Sequence, residues 1–232
     1  MFLLFHLLFS GFGPFKSHDV NASWSAVKEL ERLGLDDKYN LVVAEIPVEY
    51  DTVNDIIPKM WRSHKPHLVV HVGVSGIARN LTLEQCAHND GITMEDVKGR
   101  VPLTHCCIEG SPKKLTSELQ MNVICDKVNR CGCGVTSVVS HDPGRYLCNY
   151  IFYKSLDIDP SRTAFIHVPI LGNPYTAEEL AIGLKMSVMQ MLEHVRGQFL
   201  GGSTNLHILQ TLECLQHLCK GTLFLSCCPA LS

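Results

Sequence analysis

No apolar run in this chain of 232 residues is long enough to cross a bilayer as a helix, which takes about 20 residues. The most apolar stretch, Met1–Phe9, has nine, so a membrane is not an expected partner. Nor is there a basic stripe: 20 Lys and Arg are scattered among 23 Asp and Glu, for a net charge of −3. Nucleic acid and anionic lipid are held by clustered positive charge, which excludes both as partners. The chain has no pair of Cys-x-x-Cys motifs to hold a structural zinc, and no metal or other cofactor is expected. Internal repeats and low-complexity blocks are missing as well. What remains, at 46% hydrophobic and 19% charged residues, is the composition of one globular α/β domain with a well-filled core. Residues 1–196 are read as that domain and residues 197–232 as a C-terminal extension.

The apolar start invites a secretory reading, which three features oppose. No basic segment precedes the run, no small-residue cleavage site follows it, and it passes straight into Gly11-Phe12-Gly13-Pro14-Phe15. It reads instead as the buried first strand of a parallel sheet, apolar without alternation. Cysteine, by contrast, is plentiful. The count of eleven is odd, and the spacings Cys106-Cys107, Cys131-x-Cys133 and Cys227-Cys228 suit structural bridges poorly. A cytoplasmic protein with reduced thiols is expected, in which the glycosylation-type sequons at Asn21 and Asn80 carry no meaning.

Short apolar runs near residues 2–9, 41–47, 68–73, 135–139 and 163–168 alternate with amphipathic stretches, the mark of βαβ units. A helix is expected after Asn21, a good N-cap, with Trp24, Val27, Leu30 and Leu33 on one face and Gly34 as its stop. Others are expected at 50–62 and at about 115–129. After Pro174, Thr176 and Glu179 form a capping-box pattern. Leu180, Leu184, Val188, Met191, Leu192 and Val195 then trace a core-facing stripe up to Gly197. A further short helix at 204–219 is one reading of the extension.

In open α/β sheets, ligands bind where the C-terminal strand ends and their following loops gather. Three polar segments are expected there. One begins at Gly73-Val74-Ser75-Gly76 and reaches Glu84 and His88. A second runs from Ser140 through Pro143 and Gly144 to Cys148, and the third is the strand end at His167. A cysteine in the first turn of a helix meets amide dipoles that favour the thiolate. A nearby imidazole serves such a thiol as base, and a carboxylate fixes the imidazole tautomer. Cys148, His167 and Glu84 fit those roles. Each also has an ordinary reading: a small buried cysteine, a hydrogen-bonded strand-end histidine, a solvated loop carboxylate.

The flanking residues add a family. Gly11–Phe15 with Asn21-Ala22-Ser23-Trp24, Glu45-Ile46-Pro47-Val48, His71–Gly76, Leu83-Glu84, Gly144–Asn149 and Phe165–Pro169 resemble pyroglutamyl-peptidase I, of the animal type or its pyroglutamyl-peptidase I-like relative. The resemblance spans about residues 10–196. It implies a three-layer α/β/α sandwich around a mixed, mostly parallel sheet, and a metal-free thiol peptidase acting on peptides with N-terminal pyroglutamate. Cys148 is its implied nucleophile, His167 its base and Glu84 the acid behind the histidine. Pyroglutamate is a neutral lactam, best held by an apolar slot. The resemblance assigns that slot to Phe12 and Phe15, whose ordinary reading is core packing. The chain departs from the family at Ser10, Lys16-Ser17, His141 and Pro143. An alternative to the enzyme is therefore a catalytically impaired relative that binds pyroglutamyl peptides or another protein.

Overall fold

The computed structural model describes residues 4–15 and 20–199. The elements follow in chain order as β1 Phe5–Phe12, α1 Ala22–Leu33, β2 Tyr39–Ile46, α2 Tyr50–His64, β3 Leu68–Val74, β4 Leu81–Glu84, β5 Cys86–His88, β6 Lys114–Thr116, α3 Met121–Arg130, β7 Ser137–Ser140, α4 Leu147–Ile158, β8 Thr163–Val168 and α5 Ala177–Phe199. Six strands make one sheet in the order β2-β1-β3-β8-β4-β7, and β5 pairs with β6 apart from it. β2, β1, β3 and β8 are parallel. β4 runs antiparallel to β8, and β7 is parallel to β4. The sheet is mixed and mostly parallel.

Strand periodicity sends alternate side chains to opposite faces. From β1, Phe5, Leu7 and Phe9 join α1, α3 and α5 in one apolar cluster. Leu8 and Phe12 join α2 and α4 in another, on the opposite face. The result is a three-layer α/β/α sandwich. Burial of each Phe, Leu or Val in these layers contributes about 1.5–3 kcal/mol.

Local signals explain the helix ends. The Asn21 side chain accepts the N–H of Ser23 at 3.1 Å to start α1, and Gly34, at φ +67°, closes it. Thr176 and Glu179 exchange reciprocal hydrogen bonds of 2.8 and 3.2 Å ahead of α5. Some boundaries differ from the sequence reading. Residues 114–116 form β6, and the helix expected from 115 starts only at Met121. α5 continues through Gly197 to Phe199, because a single glycine inside a long packed helix costs only about 1 kcal/mol. Lys16, Ser17 and residues 200–232, with the helix expected at 204–219, lie outside the described residues. Among those described, no helix is long and apolar enough to cross a membrane.

Candidate active site

The two-residue period of β3, β4 and β8 sets one polar row on the face covered by α2 and α4. Val70 and Val72 of β3 belong to the opposite cluster, so His71 and Gly73 face α4. By the same count Phe165 and His167 of β8, and Thr82 and Glu84 of β4, share that face. Glu84 is paired with Phe165, and Thr82 with His167. Glu84 is therefore the diagonal cross-strand neighbour of His167, a separation that a long side chain bridges.

It does so: Glu84 Oε1 lies 2.8 Å from His167 Nδ1. Both are buried, the carboxylate at 2% exposure and the imidazole at 8%. The second carboxylate oxygen, Oε2, has no hydrogen-bond partner. Phe165 meets the imidazole edge-on, ring centroids 4.8 Å apart, and limits how the ring can tilt.

Cys148 reaches the same place from the helix side. It is the second residue of α4, which begins without a side-chain cap, so the N–H groups of its first turn stay free to donate. Pro143 and Gly144 (φ +84°) turn the chain from β7 into that helix. Asp142 steadies the turn by accepting the N–H of Gly144 at 3.1 Å and pairing with Arg145 at 2.5 Å. The Cys148 thiol comes close enough to the His167 ring to act on its charge. Since Nδ1 is engaged by Glu84, Nε2 is left for the sulfur. Burial disfavours a charged imidazole, but the influence of Cys148, followed by that of Glu84, outweighs it and raises the His167 pKa to about 9. A sulfur, an imidazole and a buried carboxylate in that order are the parts of a nucleophile, a proton carrier and its orienter.

The expected geometry needs one correction. β4 and β7 run opposite to β8, so the C-terminal ends of these three strands do not share a rim. Glu84 ends a strand and is not a solvated loop carboxylate. It meets His167 across the strand pair, and Cys148 arrives by the turn at 141–146 and the start of α4. His88, expected on the same loop, lies in β5.

Phe12 is buried at 4% among Val48, Tyr50 and Leu147. Phe15 is half-buried and lines a pocket of about 210 Å³ with Val74, Gly76, Ile170 and Leu171. Phe15 and Cys148 pack against the cluster that contains Phe12. Two residues that sequence reasoning passed over as chemistry are Gly73, whose missing side chain makes room for the sulfur, and Asn149. A glycine inside an apolar strand, in Gly73-Val74-Ser75-Gly76, is the signal that marks the first. Among the described residues no three His, Cys, Asp or Glu side chains gather as a metal-ligand set.

A sequence profile of the pyroglutamyl peptidase family matches residues 5–199. The chain is 48% identical over 184 residues to human pyroglutamyl-peptidase 1, covering 79% of this chain and 88% of that protein. It is 36% identical over 183 residues to human pyroglutamyl-peptidase 1-like protein, covering 76% and 92%. Among solved structures, pyrrolidone carboxyl peptidase from Thermococcus litoralis superposes with a TM-score of 0.76 over 84% of this chain and 96% of that one, at 21% identity. That last likeness bears on the fold alone.

Proposed function

We propose, from the premise that this chain belongs to the pyroglutamyl peptidase family, that Cys148, His167 and Glu84 carry its reaction. The chain is a cysteine-type omega-peptidase that removes the N-terminal pyroglutamyl residue from peptides. The assignment of roles rests on one observation: Glu84 Oε1 stands 2.8 Å from Nδ1 of a buried His167, whose pKa the neighbouring Cys148 raises.

In this reading the Cys148 sulfur attacks the pyroglutamyl carbonyl as a thiolate, balanced by the His167 cation. The tetrahedral oxyanion accepts hydrogen bonds from backbone N–H groups of the uncapped first turn of α4, including that of Cys148. His167 gives the proton on Nε2 to the leaving amine, the C–N bond breaks, and a thioester joins pyroglutamate to Cys148. Water, losing its proton to His167, then cleaves the thioester and frees pyroglutamate. Glu84 holds the Nδ1 proton and the ring orientation throughout.

The neutral lactam needs an apolar wall and no carboxylate counter-charge. Phe12 and Phe15 are assigned to that wall, a role supported by the apolar cluster they share with Cys148. The reading sets the chemistry in residues 1–196 and gives none to 197–232. It places the protein in the cytoplasm, where a thiol nucleophile stays reduced; Cys86, Cys106, Cys107 and Cys125 are likewise unbridged thiols.

The test is release of the fluorophore from a pyroglutamyl amide under reducing conditions by the purified protein, beside Cys148→Ala. The parent releases it, the variant does not, thiol alkylation abolishes release and chelators leave it unchanged. Tight binding of the amide with no release by the parent would instead identify a binding relative.

A further inference from the structure

Asn149 directly follows Cys148, and its side chain is completely buried. Its carboxamide oxygen accepts the backbone N–H of His88 at 2.7 Å, and its nitrogen donates to the backbone C=O of the same residue at 2.7 Å. One side chain thus supplies the donor and acceptor that a neighbouring strand would offer. His88 is the last residue of β5, four residues beyond Glu84.

Beyond this clamp, the strand is held by its buried Cys86 and Ala87 and by contacts of the Cys86 and His88 side chains with the His141 carbonyl. β5 is three residues long and pairs only with the equally short β6, outside the six-stranded sheet. A two-stranded pair of this size is marginal by itself. The next residue repeats the device. Asn89 accepts the N–H of Ile108 at 2.8 Å and donates to the carbonyls of Ile108 at 2.8 Å and Ser111 at 3.0 Å. Two buried asparagines in series therefore tie the start of α4 to β5, and β5 to the irregular segment that follows it.

We propose that Asn149 is a positioning residue for the peptidase reaction: by clamping the first turn of α4 to the backbone of β5, it holds the Cys148 sulfur in register with the Glu84–His167 pair. The proposal rests on Cys148 being the nucleophile. A clamp that served only to close the core would have no reason to sit beside the sulfur and grip the strand that continues from the carboxylate. A sulfur misplaced by about 1 Å loses on the order of 100-fold in rate without any loss of substrate contacts.

The chemistry of the clamp supplies its own test. An aspartic acid at this position imitates Asn149 only when protonated, since then one oxygen accepts the His88 N–H and the O–H donates to the His88 carbonyl. As a carboxylate it has no donor. The experiment compares the full-length parent, Asn149→Leu and Asn149→Asp, each checked for folding by circular dichroism at every pH used. It reads kcat and KM on a pyroglutamyl amide, and the rate of Cys148 alkylation by iodoacetamide from peptide mass mapping. Asn149→Leu is expected to lower kcat by at least about tenfold with KM within about twofold. The activity of Asn149→Asp relative to the parent is expected to rise severalfold from about pH 8 to about pH 5.

A folded Asn149→Leu with unchanged kcat, or with its loss confined to KM, overturns the proposal. So does an Asp-to-parent ratio that is flat with pH, which decides the matter if the Leu variant does not fold. A parent that releases no product overturns the peptidase assignment instead. The clamp is then judged by alkylation, where Asn149→Leu must slow modification of Cys148 and equal rates sink it.

Discussion

Gly73 and Cys148 meet so closely that a Cβ placed on the glycine would stand 2.7 Å from the cysteine sulfur, and 2.7 Å from Cζ of the Phe165 ring behind it. The sulfur can lie over the sheet only because β3 has no side chain there. Phe165 is fully buried and cannot retreat, so an added methyl must push the thiol away from His167. Gly73→Ala is expected to cost about 1–3 kcal/mol in urea denaturation through overpacking. It should lower kcat by about 100-fold through displacement of the nucleophile. Parent-like turnover by a folded Gly73→Ala would show that the sulfur reaches the substrate from another position.

Glu84 offers a way to separate activity from stability. Oε1 holds the His167 ring, while Oε2 is buried without a partner. Glu84→Gln keeps an acceptor for Nδ1–H and removes a buried charge, but weakens one charge-assisted hydrogen bond. The expected loss of stability is about 1–2 kcal/mol. The expected loss of kcat is larger, at least about 100-fold, because the neutral amide no longer favours the imidazolium or enforces its tautomer. Equal and small losses in both measurements would remove Glu84 from the reaction.

His167 gives the protein an alkaline limit. Its folded-state pKa is raised to about 9 against burial, by Cys148 first and Glu84 second. A raised folded pKa means that the folded chain holds the proton more tightly than the unfolded one. The stabilisation is complete below the unfolded value of about 6.5 and is lost as pH rises through about 9. The urea midpoint is therefore expected to fall between pH 7 and pH 9.5 in the parent. It should fall less in Cys148→Ala, which lacks the largest raising influence. The same decline in the parent and the variant would assign the alkaline limb to other groups.

The sequence makes some of this legible and hides the rest for physical reasons. β1, β3 and β8 stand out because both of their faces are buried, so nearly every residue is apolar. β4, β5 and β6 have only three or four residues each and carry Thr82, Glu84, His88 and Lys114 among them, so they present no apolar run to recognise. Strand direction leaves no mark on composition. The reversal of β4 and β7 is therefore invisible in the sequence, and the shared rim expected for Glu84, Cys148 and His167 is not the geometry of the fold. The helix caps at Asn21, Gly34 and Thr176 were readable because capping is a local property of side chains. The clamp of Asn149 on His88 joins residues 61 apart through backbone atoms, and nothing in either side chain's identity announces it.

A second buried histidine sets the acid limit with the opposite sign. His71 is fully enclosed, with Ser10 Oγ 2.6 Å from Nδ1 and Ser155 Oγ 2.7 Å from Nε2, and Trp61 Nε1 donates to the same Ser155 oxygen at 3.2 Å. Its neutral ring thus joins β1, β3, α2 and α4 beneath the catalytic row. Burial lowers its pKa to about 3. The unfolded chain binds a proton near pH 6.5 that the folded chain refuses until about pH 3, so stability drains away as pH falls across that window. His71→Leu is expected to be about 1–3 kcal/mol less stable than the parent at pH 7, since it strands the two hydroxyls and loses their bonds. It has no buried ring to protonate, however, so its urea midpoint should change less with acidification. The gap between parent and variant should therefore narrow steadily from pH 7 to about pH 4.5, as urea denaturation at three or four pH values would read directly. A gap that stays constant over that range would mean that His71 is already charged in the folded core, and that the neutral bridge between Ser10 and Ser155 does not exist.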